Sequence, residues 1–180
     1  SAFRQAITWR RQRNRLTGRQ RVDYLHRVST NDIRALQPGG VAPTLLVTAK
    51  GRLIERLTVV CRDDDLLLLA SEDGAERARQ AVAKFIVIED VAVHDDSGET
   101  FQLALFGPRA AAVVAAAAGV DAGELAPNRA HVASIAGSEV TVVPEPGPAL
   151  QIIGPVAQRE AVHDALRQAG RSVAMVTGDT

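Results

Sequence analysis

Thr44 to Val60, TLLVTAKGRLIERLTVV, holds two β-branched and Leu-rich runs on either side of a short polar break. The stretch predicts two strands joined at Ala49-Lys50-Gly51-Arg52, with Gly51 supplying the positive φ that a tight hairpin turn needs. Leu53, Glu55, Leu57 and Val59 alternate with Ile54, Arg56, Thr58 and Val60, so Glu55 and Arg56 project from opposite faces. Two charges inside an apolar strand admit two readings. Either the strand is a sheet edge guarded by charge, or one charged side chain looks into a cavity.

The pattern around this hairpin predicts further elements. An apolar patch at Ala6, Ile7 and Trp9 reads as a short strand, followed by a turn at Gly18. Arg21 to Val28 is a helix with Val22, Leu25 and Val28 on one face. Pro38-Gly39-Gly40 is a loop and Arg62-Asp63-Asp64-Asp65 a polar turn. Leu66 to Ala70 is a buried strand. Ser71 is the expected N-cap of a helix from about Glu72 to Phe85, with Ala78, Ala81, Val82 and Phe85 inward. Phe85 to His94 reads as a strand interrupted by Glu89-Asp90.

The second half repeats this order. Val140 to Val143, the loop Pro144 to Pro148, Leu150 to Ile153 and a helix from about Val156 to Ala169 parallel the first half at a gapless offset, Thr58 with Thr141 and Leu67 with Leu150. Ala130 to Ile135, the turn Ala136-Gly137 and a strand from Glu139 form a slightly shortened hairpin. Gly107-Pro108-Arg109 and the Ala-rich helix to Ala118 mirror Gly18 and the helix from Arg21. Two long copies predict an α+β fold: a pseudo-twofold pair of α-β-β-β-α units with antiparallel sheets, residues 1–98 and 99–180, each sheet covered by helices on one face.

Composition changes this picture in two places. Hydrophobic residues make up 46% of the chain but aromatics only 3%, so the core must be aliphatic. Net charge is zero, yet residues 1–34 hold nine Arg against two Asp. No aromatic platform accompanies this arm and the body is acidic, so a solvated face or the rim of an anionic-ligand site is expected before a nucleic-acid surface. The single Cys61 excludes an internal disulfide and reads as an inert small hydrophobe. His26, His94, His131 and His163 lack metal-ligand spacing, and no nucleophile, phosphate-loop or dinucleotide motif is present. No apolar run is long enough to span a membrane, so a cytoplasmic location is expected.

Three features carry a resemblance: Arg21-Val22-Asp23-Tyr24-Leu25-His26-Arg27-Val28-Ser29-Thr30-Asn31-Asp32, the stretch Leu36 to Gly39, and the turn Thr48-Ala49-Lys50-Gly51-Arg52-Leu53. Together with Phe85 to Val93 and Leu105-Phe106-Gly107-Pro108, they resemble the folate-binding family of glycine-cleavage T protein (aminomethyltransferase) and its YgfZ-type relatives. The Thr-Asn-Asp helix end and the Lys-Gly-Arg turn are of the YgfZ type. The resemblance implies tetrahydrofolate or a one-carbon derivative as ligand, bound between the halves. It also implies support of iron–sulfur enzyme assembly or repair, with iron–sulfur proteins as partners. Candidate contacts are Asn31, Thr48, Arg52 and Arg56, with helix-end capping the competing role for Asn31.

The family's two consecutive acidic residues after the turn fall here on Glu55 and Arg56, and its folate-contacting Tyr on Pro43. An Arg cannot act as a base, so no catalytic residue is assigned. A true aminomethyltransferase and a non-catalytic subunit or scaffold of a folate-linked complex are the alternatives. Family members carry a further C-terminal β-rich domain, which is not expected within these residues.

Overall fold

The computed structural model describes residues 6–10 and 13–176; Arg11, part of the Arg run, lies outside them. In chain order the elements are β1 (Ala6–Arg10), β2 (Arg13–Thr17), α1 (Arg21–Val28), β3 (Val41–Val47), β4 (Leu53–Cys61), β5 (Leu66–Leu69), α2 (Ala75–Ala83) and β6 (Ala92–Asp95). They continue with β7 (Thr100–Phe106), α3 (Ala110–Ala118), β8 (His131–Ile135), β9 (Ser138–Glu145), β10 (Ala149–Pro155) and α4 (Arg159–Val176). The fold is α+β with two antiparallel five-stranded sheets, ordered β3-β4-β5-β2-β6 and β8-β9-β10-β7-β1. The chain divides into a unit of residues 11–98 and a unit of residues 1–10 with 99–180.

In the unit of residues 11–98, α1 and α2 cover one sheet face. Tyr24 and Leu25 of α1 and Ala78 and Val82 of α2 pack with Leu46, Leu57, Val59, Leu66, Leu68 and Leu16. The Tyr24 hydroxyl donates to the Val82 carbonyl and ties the two helices together. The other unit repeats the plan: Val113 and Val114 of α3 and Val162 and Leu166 of α4 pack with Leu103, Leu105, Ile135, Val140, Val142, Leu150 and Ile152.

These matched cores correct the repeat. Leu57 and Val59 correspond to Val140 and Val142, as a gapless offset requires, but Leu66 and Leu68 of the next strand correspond to Leu150 and Ile152. One residue has been gained in the intervening turn. Strand faces alternate with period two, so a one-residue slip exchanges inside and outside. Leu67, aligned with Leu150 by the gapless reading, therefore lies on the opposite face from the helices.

Other expectations need revision. The predicted helix from Glu72 to Phe85 spans only Ala75–Ala83, with Gly74 and not Ser71 at its N-cap. Phe85 is consequently 60% exposed instead of inward. The predicted strand from Phe85 to His94 shrinks to β6; Val87 and Ile88 are exposed, and the Glu89 carboxylate accepts from both of their backbone N–H groups. The helix expected from Val156 begins as a 3-10 turn at Val156–Gln158. Strands β2 and β7 had no counterpart in the pattern reading. In β2, Arg13 is 1% exposed, so the Arg run is not wholly a solvated face or a rim.

Candidate functional site

The β3–β4 hairpin resolves the question raised by its two charges. Strand β4 lies between β3 and β5, so it is not a sheet edge. Glu55 is 3% exposed and shares the helix-covered face with Leu57 and Val59, whereas Arg56 is exposed on the other face. A register shift sharpens this separation: Leu46 pairs with Glu55 but Val47 with Leu53, leaving Ile54 as the extra residue of a bulge.

The Glu55 carboxylate is fully employed. Oε1 accepts from the backbone N–H of Arg56 at 3.0 Å and of Ser71 at 3.2 Å. Oε2 accepts from Arg77 Nη2 at 2.7 Å, and Arg77 Nε reaches the Ile54 carbonyl at 3.1 Å. Gly74 leaves room for this carboxylate; a Cβ there would overlap Glu55 Oε2. Burial alone would push the Glu55 carboxyl up, but the hydrogen bonds from Ser71, Arg77 and the Arg56 backbone outweigh it and hold the group below the ordinary carboxylate range. Glu55 therefore fastens the hairpin to the start of α2. The partners Ser71, Gly74 and Arg77 lie 16 to 22 residues away, and no spacing rule in the sequence points to them.

The hairpin turn is organised by Thr48. Its carbonyl accepts from the Gly51 N–H at 2.8 Å and its hydroxyl from the Arg52 N–H at 3.1 Å, with Gly51 at φ 74°. Asn31 is also bonded within the fold: Nδ2 donates to the Pro43 carbonyl at 2.6 Å, and Oδ1 accepts from the Asp32 N–H at 2.8 Å. Thr30 exchanges hydrogen bonds with Leu45 through both its N–H and its hydroxyl. The Thr30-Asn31-Asp32 corner is thus stitched to β3.

Arg52 and Arg56 differ from most of the other cations of this unit, which pair with carboxylates. Arg19 holds Asp90, Arg27 holds Glu89, Arg34 holds Asp23, Arg62 holds Asp65 and Arg79 holds Glu76. Among the described residues, Lys50, Arg52 and Arg56 have no such partner; Arg21 and Lys84 lack one too, but Arg21 donates to the Gly18 and Asp63 carbonyls and Lys84 lies over the Phe85 ring. The face of the hairpin that carries Arg56 also presents Pro43, Leu45, Val47 and Leu53 but no carboxylate; Leu45 is 38% and Leu53 62% exposed. Free guanidinium groups beside apolar side chains fit an anion that also has an apolar part.

Elsewhere the chemistry is sparse. Cys61 is buried, and burial pushes its thiol up, away from the reactive thiolate. No group of three or more His, Cys, Asp or Glu side chains is placed to hold a metal among the described residues. No described helix is long and apolar enough to cross a membrane.

A family model described as the GCVT N-terminal domain matches residues 11–177. An aminomethyltransferase from Bacillus cytotoxicus is 32% identical over 100 residues, covering 55% of this chain and 27% of that enzyme. One from Bacillus cereus is 33% identical over 92 residues, covering 51% of this chain and 25% of that enzyme. In fold, the chain is similar to the glycine cleavage system aminomethyltransferase T from Bartonella henselae, with a TM-score of 0.75 at 18% identity over 90% of this chain and 45% of that one. It is also similar to a chain of the heterotetrameric sarcosine oxidase from Corynebacterium sp. U-96, with a TM-score of 0.65 at 20% identity over 94% of this chain and 85% of that one. The matched stretches span only 27% and 25% of the two curated relatives. With the family model matching nearly its whole length, the chain belongs to the GCVT N-terminal domain family.

Proposed function

We propose that this chain is a reduced-folate-binding domain of the YgfZ type that does not itself carry out aminomethyl transfer. One observation carries this reading. The exposed face of the hairpin offers Arg56 and no carboxylate, while the neighbouring Glu55 is held on the opposite face by Arg77 and two backbone N–H groups. A guanidinium stays protonated, so it can neither take a proton nor balance a cation developing on a bound folate. It can grip carboxylate, and folate carries carboxylates on its glutamate. Arg56 and Arg52 would supply those contacts, and Leu45 and Leu53 an apolar wall. Thr48 and Asn31 would act by holding the turn and the helix-end corner in place. Support of iron–sulfur enzyme assembly rests on the resemblance of Thr30-Asn31-Asp32 and Lys50-Gly51-Arg52 to the YgfZ type.

The aminomethyltransferase relatives favour a second reading, one-carbon transfer to tetrahydrofolate. A turnover assay with the aminomethyl-loaded carrier and tetrahydrofolate separates the two. No methylene-tetrahydrofolate above the enzyme-free background is expected. Formation at a rate proportional to protein concentration would establish the transferase reading instead.

A further inference from the structure

A cleft of about 220 Å³ lies within the unit of residues 11–98. Asn14 of β2, Asp73, Ala75 and Glu76 around the start of α2, and Asp95 and Ser97 at the end of β6 line it. None of these residues takes part in the proposed folate site. The volume is below the roughly 300–1,000 Å³ of clefts that hold drug-sized ligands, so the cleft suits a small one.

The lining offers acceptors that the fold leaves unused. Asn14 is 1% exposed, and its Nδ2 is fixed by donating to the Ala75 carbonyl at 2.8 Å. Its Oδ1 receives no hydrogen bond from the described residues, although buried amide oxygens ordinarily have a donor. Glu76 is committed to Arg79 and Gln80. Asp95 Oδ1 accepts from the Ser97 hydroxyl and N–H, which hold its carboxyl below the ordinary carboxylate range and keep it anionic. Asp95 Oδ2 and the whole Asp73 carboxylate have no hydrogen-bond or ion-pair partner among the described residues. Of the cations near Asp95, Arg79 is matched by Glu76, and Arg13 projects from the opposite face of β2 to Asn14. Two negative charges and one orphaned acceptor remain. No three acidic or other ligating side chains among the described residues are placed to hold a metal ion. An ammonium group, with three donors and no acceptor, matches what is left.

We propose that this cleft binds a short aliphatic diammonium ion, with Asp73 and Asp95 meeting its two charges and Asn14 Oδ1 accepting an ammonium N–H. The test is a titration of this chain with putrescine, followed by proton–nitrogen NMR at the Asn14 side-chain amide and the Ala75, Glu76 and Ser97 N–H groups. Saturable shifts at these resonances are expected, weakening between ~50 and ~300 mM salt. Propylamine, which carries one charge, should bind at least ~3-fold more weakly. Asp73→Asn and Asp95→Asn should each weaken putrescine at least ~3-fold, with the rest of the spectrum unchanged. Asn tolerates the φ of 61° at Asp73, so that variant keeps its backbone. Asp64→Asn, outside the cleft, should leave the affinity as it is. Shifts that do not saturate, or unchanged affinity in either cleft variant, would overturn the proposal. So would equally tight binding of magnesium ion at the same resonances, because charge alone would then be the determinant.

Discussion

Glu55→Ala is expected to destabilise the unit of residues 11–98 by about 2–4 kcal/mol. The estimate follows from three hydrogen bonds to a charged acceptor, each contributing roughly 1.5–3 kcal/mol, offset by the desolvation that an ionised group 3% exposed must bear. The backbone N–H groups of Arg56 and Ser71 lose their acceptor, and α2 loses its tie to β4. The half-exposed Arg77 turns to water. Urea unfolding followed by circular dichroism measures the loss, and a shift under about 0.5 kcal/mol would contradict the role given to Glu55. The pH dependence has a definite sign. The folded-state pKa of Glu55 is depressed, so its contribution is present above the unfolded value of roughly 4.3 and is lost as pH falls through the folded value. Wild type and Glu55→Ala should therefore converge in stability on acidification.

Gly18→Ala is expected to cost more, roughly 3–5 kcal/mol, a large share of a typical domain's 5–15. Gly18 has φ 106°, and an added Cβ would fall on the backbone carbonyl of Asp90. Backbone cannot rotate away as a side chain can. The same contact region holds the start of α1, where Gln20 N–H donates to the Asp90 carbonyl at 3.2 Å and Arg19 Nε to its carboxylate at 2.8 Å. Gly119 at the end of α3 provides the comparison. It too has positive φ, 68°, but nothing lies within 4 Å of its would-be Cβ. Gly119→Ala should cost only about 1 kcal/mol, the backbone penalty alone. Equal unfolding midpoints for the two variants would show that the Asp90 contact does not matter.

Much of this architecture is legible in the sequence, and the failures share a physical cause. Helix α1 and the turn at Gly51 lie where predicted because their periodicity and turn chemistry agree. Strand β2, Arg-Asn-Arg-Leu-Thr, reads as surface because a buried Arg13 and Asn14 look like solvated residues until their partners are known. Asn14 is satisfied by the Ala75 carbonyl 61 residues away. Conversely, Phe85 to Ile88 looks like a core strand by composition, yet Phe85, Val87 and Ile88 are 60, 83 and 91% exposed. Period-two alternation correctly separates Glu55 from Arg56, but it cannot say which face the helices cover. That depends on α2, whose Arg77 and Gly74 select Glu55 through long-range contacts. The free state of Arg52 and Arg56 is likewise a matter of what stands near them in space.

The proposed folate site depends on Arg56 gripping the ligand's carboxylate. Calorimetric titration of wild type and Arg56→Ala with tetrahydrofolate tests it most directly. One-site saturable binding by wild type, at least ~10-fold weaker in Arg56→Ala, is the predicted result, a difference of about 1.4 kcal/mol. Equal affinities in the two proteins, or no binding by wild type, would contradict it.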